Sequence, residues 1–127
     1  MPSVLAPSRK VSMRPNLANR TSLAAWYRYR IGLTNISGAC SVWADQSGNM
    51  NALLQATASA RPTVNSDGSL TFDGVDDVLS ATFTLVQPCT FYLAFQQLSW
   101  TSGDGIFDGK TGVTKVTQKT ASPQLAA

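Results

Sequence analysis

From residue 23 onward the chain never runs apolar for long. Every hydrophobic stretch is cut within a few residues by Gly, Asp, Asn or Ser, at short and fairly even intervals. Leu23–Tyr27 is a short apolar strand candidate. Ser41-Val42-Trp43-Ala44 is another, closed by Asp45-Gln46-Ser47-Gly48-Asn49, residues that tolerate left-handed backbone geometry. In Ser69-Leu70-Thr71-Phe72, Leu70 and Phe72 alternate with polar neighbours as in a half-buried strand, and Asp73-Gly74-Val75-Asp76-Asp77 turns the chain into Val78-Leu79-Ser80. Thr90–Phe95 is the most apolar run and is expected to cross the core, with Ser102-Gly103-Asp104-Gly105 turning it back into Ile106-Phe107. Tyr27-Arg28-Tyr29-Arg30 alternates aromatic and charge, which favours an edge strand. Residues 51–60 have room for one or two helical turns only, and Arg61-Pro62 requires extended backbone before the proline. Many short strands joined by such turns predict an all-β, antiparallel sandwich or barrel.

The size suits one domain: 127 residues, 43% hydrophobic and only 13% charged, well below the usual quarter. Charge is unevenly placed. Arg9, Lys10, Arg14, Arg20, Arg28 and Arg30 all precede the first acid, Asp45. Residues 1–21 also carry Pro2, Pro7 and Pro15 and follow neither helical nor strand periodicity, so they read as an extended basic arm before a domain at 22–127. Such an arm is either an ordinary frayed terminus or a tether, with Arg9, Lys10, Arg14 and Arg20 contacting an acidic protein partner. Nucleic acid is disfavoured as that partner, because a denser basic patch with interleaved stacking aromatics is wanted. No apolar run reaches the ~18 residues of a spanning helix, so no membrane partner is expected. The prolines and charges at the start do not fit an export signal, so synthesis in the cytoplasm is expected.

The chain has no His, and its seven acids are all Asp. The usual general base, the usual zinc ligand and the Ser-His-Asp relay are therefore missing, and the chain reads as a non-enzyme with no catalytic residue. Cys40 and Cys89 form no CxxC and read as buried free thiols acting as small hydrophobes.

The string Ser41–Asn49, followed by Gln55-Ala56-Thr57, Arg61-Pro62-Thr63 and Leu70–Leu79, resembles the first half of concanavalin A-like lectin/glucanase domains. Close kin of that family are the laminin-G-like domains of phage and bacterial surface proteins. The similarity runs over roughly residues 23–109 and rests on Trp-x-Asp-x-Ser-Gly-x-x-Asn followed by Phe-Asp-Gly-Val-Asp-Asp. The resemblance implies a concanavalin A-like jelly-roll sandwich shorter than the family's usual length, either a reduced version of the fold or one whose open edges a neighbouring chain completes. The glucanase branch uses catalytic Glu, which this chain lacks, so that activity does not carry over.

The signature reads structurally first. Trp43 packs inward, Asp45, Ser47 and Asn49 bond their own turn, Asp73-Gly74 turns tightly, and Asp76 or Asp77 caps backbone amides. The alternative for Asp73, Asp76 and Asp77 is a calcium site, calcium being the only cofactor the pattern admits. Trp100 and Asp104, near a loop tip, are candidate ligand or interface contacts, with Trp100 as a strand-end core residue the plainer reading. The function expected is a structural or adhesion subunit of a phage virion, a head decoration or tail-associated protein. It would be made in the host cytoplasm and assemble with copies of itself or with a major capsid or tail protein. The alternative is a glycan-binding lectin module at a bacterial surface or secreted, and an Asp-based hydrolase comes third.

Overall fold

The computed structural model describes residues 22–99 and 105–109, together with the backbone of 115–118 and 125–126. Strands dominate it, all pairings are antiparallel, and the described helical structure is confined to short 3-10 turns. The chain is therefore all-β in character. Five strands form one sheet: β1 (Leu33–Ile36), β2 (Ala39–Trp43), β3 (Leu53–Leu54), β4 (Thr63–Val64) and β5 (Leu70–Thr71), ordered β1-β2-β4-β5 with β3 also paired to β2. The strands β6 (Gly105–Asp108), β7 (Lys115–Gln118) and β8 (Leu125–Ala126) form a second.

β1 and β2 make a two-residue hairpin through Ser37 and Gly38, both at positive φ (52° and 87°), the geometry that matches the right-handed twist of paired strands. The Asn35 side chain accepts the Gly38 amide at 2.8 Å and fastens the turn. Register slips once: Thr34 faces Val42 while Asn35 faces Cys40, leaving Ser41 as the extra residue of a bulge. Ser41 is nevertheless buried. Its hydroxyl donates to Thr34 O at 3.2 Å, and its carbonyl accepts the Gln55 amide at 2.9 Å, so both of these polar groups of the bulge are paired.

The best-buried residues, Cys40, Ser41, Ala60 and Pro62, lie where β2 meets β4 and the 3-10 turn Ala58–Ala60. Cys40 N donates to Pro62 O at 2.8 Å, Val64 N to Gly38 O at 2.8 Å, and Val78 N to Ala60 O at 3.1 Å. The small core is thus tied to the chain on three sides.

Several expectations are corrected. Leu23–Tyr27 is no strand, and Tyr27–Arg30 is not an edge strand. Arg30 sits at φ 67° and the Ile31 amide returns to Arg28 O, so the segment is a turn. Four residues of alternation cannot separate a strand from a turn whose side chains happen to alternate. Within 51–60, Leu53 and Leu54 pair with Trp43 and Val42 instead of coiling. Only Ala58–Ala60 is helical, because a strand edge offers hydrogen bonds that a short helix would have to nucleate for itself.

The larger departure is at 90–95. Phe91, Leu93 and Phe95 were expected in a core-crossing strand, yet residues 81–98 form no strand among the described residues apart from an isolated bridge at Ser80 just before them. Phe91, Leu93 and Phe95 are exposed by 39, 50 and 52%. Phe72 is exposed too, while Leu70 is half-buried on β5. Phe91 does touch Phe107 of β6, ring centroids 4.6 Å apart. Both cysteines are free, Cys40 buried and Cys89 half-buried rather than buried.

Candidate functional site

Two constellations of polar side chains stand out, and both are built by turns. The first is the acidic turn at 73–77. Gly74 adopts φ 75°, which lets the chain reverse tightly. Asp73 Oδ1 then accepts the amides of Val75 (2.8 Å), Asp76 (3.3 Å) and Asp77 (3.4 Å), while Asp77 Oδ2 accepts the Asp73 amide at 2.9 Å. The hydrogen bond from the Val75 amide does most to hold the Asp73 carboxyl below its ordinary range. Asp73, Asp76 and Asp77 each bring one carboxylate oxygen within 4.8 Å of the others, beside an open depression lined by Gly74, Val75, Asp77 and Gly105.

Turn and cation readings draw on the same atoms. One oxygen of Asp73 and one of Asp77 are committed to backbone amides. The oxygens left over supply only part of the six to eight that calcium takes. The capping role expected of Asp77 is present, as is the Asp73-Gly74 turn.

The second constellation is the Trp43–Asn51 loop. Asp45 accepts four hydrogen bonds: from the amides of Trp26 (2.8 Å), Ser47 (2.8 Å) and Asn51 (3.1 Å), and from the Ser47 hydroxyl (2.7 Å). Partial burial works against the charge, but the bonds from Ser47, Trp26 and Asn51 win and hold the carboxyl below its ordinary range. The Asn51 and Asn49 side chains donate to Ala24 O and Leu23 O, and the Tyr27 hydroxyl donates to Asn51 O. The Trp43 indole donates to Arg28 O at 3.0 Å and its ring packs tilted on Tyr27 at 5.7 Å. The local turn bonds of Asp45 and Ser47 match expectation. The long reach of Asp45, Asn49 and Asn51 back to residues 23–26 does not follow from spacing.

A third cluster escaped the sequence reading. The Tyr29 hydroxyl donates to Asp67 O and Oδ2, and Arg30 Nε donates to Asp67 O, while Asp67 Oδ1 accepts the Ser69 amide and hydroxyl. The Ser69 hydroxyl does most to hold the Asp67 carboxyl low. Only the Asp67-Gly68 turn signal hinted at it; the pairing with residues 29–30 is tertiary. The Arg28 guanidinium lies 4.9 Å over the half-buried Trp26 ring.

Arg9, Lys10, Arg14, Arg20, Trp100 and Asp104 lie outside the described residues. No helix among the described residues is long and apolar enough to cross a membrane. No family model, curated protein or solved structure matches the chain.

Proposed function

We propose that this chain is a non-enzymatic structural or adhesion module, a subunit that works by being assembled. Its specific form is the virion component, head decoration or tail-associated, that the laminin-G-like resemblance implies. One observation carries the reading: Asp45, Asp67 and Asp73 are committed as acceptors to the amides and hydroxyls of their turns, and those bonds push each carboxyl toward lower pKa. A general base or acid working near neutrality needs a carboxyl pushed the other way. These groups hold loops in shape and leave no proton carrier tuned near neutrality among the described residues. The finer fold, a concanavalin A-like sandwich with a basic arm laid on a capsid or tail protein, is the framework for this role. It draws support from the Trp43–Asn49 and Phe72–Leu79 turns, which have the local structure that the signature implies.

The test uses the full chain. Deleting residues 1–20 and measuring incorporation into particles, or native mass where no particle is at hand, should show impaired assembly. Turnover of glycans or esters that is lost on Asp→Asn substitution at position 45, 73, 76 or 77 would overturn the non-enzymatic reading. Glycan-dependent thermal stabilisation without any change in assembly would replace it with the lectin alternative.

A further inference from the structure

Between Asp77 and Asp104 the sequence contains no charged residue at all, although the chain elsewhere is basic. In this neutral stretch Val86, Phe91, Tyr92, Leu93, Phe95 and Leu98 are exposed by 78, 39, 86, 50, 52 and 73%. Residues 81–98 belong to no strand among the described residues. With full areas of about 150–250 Å² for a large side chain, Phe91, Tyr92, Leu93 and Phe95 leave roughly 450 Å² open within 90–95, about half of the ~800 Å² each partner gives to a stable interface and enough for a weak dimer that dissociates on dilution. Exposed apolar patches above about 300–600 Å² on a soluble chain mark interaction surfaces. Proteins that leave a β-prone segment open guard it with lysine, proline or inward charge. Across 90–98 this chain places none of these.

We infer that residues 90–95 are a homotypic pairing strand, covered by the same segment of a second copy. This deepens the proposed assembly role and rests on it. Antiparallel self-pairing of Thr90-Phe91-Tyr92-Leu93-Ala94-Phe95 about its midpoint sets Tyr92 opposite Leu93, Phe91 opposite Ala94 and Thr90 opposite Phe95. Large side chains then meet small or aliphatic ones, and the two-fold arrangement is closed, so it ends at a dimer. Two copies of a chain with net charge +3 repel, and a pairing strand must keep those charges apart. This one does, since the nearest charged residues are Asp77 and Asp104. A partner recruited by charge would find nothing here to read. A second copy needs only the backbone ladder and complementary apolar faces.

Sedimentation of the full chain across a micromolar concentration series tests this. The wild type should show a dimer that dissociates on dilution. Tyr92→Lys places two like charges next to the pairing axis and should leave a monomer with an unchanged far-ultraviolet spectrum, a shift of at least tenfold in apparent Kd. Met50→Lys, at a position 89% exposed elsewhere, should sediment like the wild type. Mixing Tyr92→Lys with Tyr92→Glu should restore a heterodimer, which a variant that merely misfolds cannot do. A wild type monomeric throughout, or a dimer untouched by Tyr92→Lys, overturns the inference. A monomer that still enters particles would sink the pairing strand and spare the assembly role, whereas a dimer that never enters particles would do the reverse.

Discussion

The carboxylate of Asp45 accepts the backbone amide of Trp26 at 2.8 Å, joining residues 19 positions apart. That bond, with three more to Ser47 and Asn51, makes Asp45 the knot between the loop after β2 and the segment leading into β1. Removing it leaves three amides and a hydroxyl without their charged acceptor. Hydrogen bonds to charged groups contribute about 1.5–3 kcal/mol each, and water can replace part of that at a half-buried site. Asp45→Ala should therefore destabilise the fold by about 2–4 kcal/mol in urea titration. Ser47→Ala removes one of the four bonds to Asp45 and the acceptor of the Asn49 amide, and should cost less than Asp45→Ala in the same titration.

Acid should weaken the same knot. The folded state holds Asp45, Asp67 and Asp73 below the ordinary value of 3.8, so the unfolded chain takes up protons first as pH falls. Their contribution is complete above the unfolded value and is lost as pH drops through the lower folded values. The urea midpoint should be flat from pH 7 to about 5 and decline below about 4. Asp45→Asn should flatten part of that decline. A midpoint that rises on acidification would contradict the assignment.

What could be read in the sequence was local. Ser41–Ala44 and Leu70-Thr71 sit in or beside strands as expected, because β-branched and apolar residues between turn formers leave few other options. The Asp45–Ser47 and Asp73–Asp77 turns were legible for the same reason, since Asp bonding the amide two residues on is a property of the dipeptide. The turn at Tyr27–Arg30 was not, since Arg30, at positive φ, finds its bonding partner in Asp67, 37 residues away. Nor was the exposure of Phe91–Phe95. Hydrophobicity says that a segment should be covered and is silent on which chain covers it.

Two glycines with the same backbone requirement should respond differently to alanine. Gly32 and Gly38 both hold positive φ, 79° and 87°, so either substitution meets the left-handed penalty of roughly 1–2 kcal/mol. At Gly38 an added Cβ finds open space. At Gly32 it would stand 2.9 Å from Ala44 Cβ and 3.1 Å from Ala44 O, where the Ala44 amide already bonds Gly32 O at 2.7 Å. That contact cannot relax without moving the backbone after β2. Gly32→Ala should cost at least ~1 kcal/mol more than Gly38→Ala in parallel thermal or urea unfolding. Equal costs would mean that the segment before β1 is looser than its hydrogen bonds imply.

At the alkaline end Tyr27 should set the limit. Its hydroxyl donates to Asn51 O and its ring packs on Trp43, so ionisation would put a charge into a half-buried site beside the Asp45 carboxylate. Burial first, and the Asp45 charge second, raise its pKa from 10.0 to about 12. The sign follows directly. The unfolded chain loses this proton near 10 while the folded one keeps it, so stability contributed by neutral Tyr27 is complete below pH 10 and drains away as pH rises to about 12. Tyr27→Phe removes the proton and the bond to Asn51 together. It should cost about 0.5–1.5 kcal/mol at neutral pH for the lost hydrogen bond. It should also make the urea midpoint less dependent on pH between 10 and 12. Ultraviolet titration of the phenolate band should show one late-titrating tyrosine in the wild type that vanishes in Tyr27→Phe. If the late phase survives the substitution, Tyr27 is not the residue the loop protects, and the Asp45 network ends short of it.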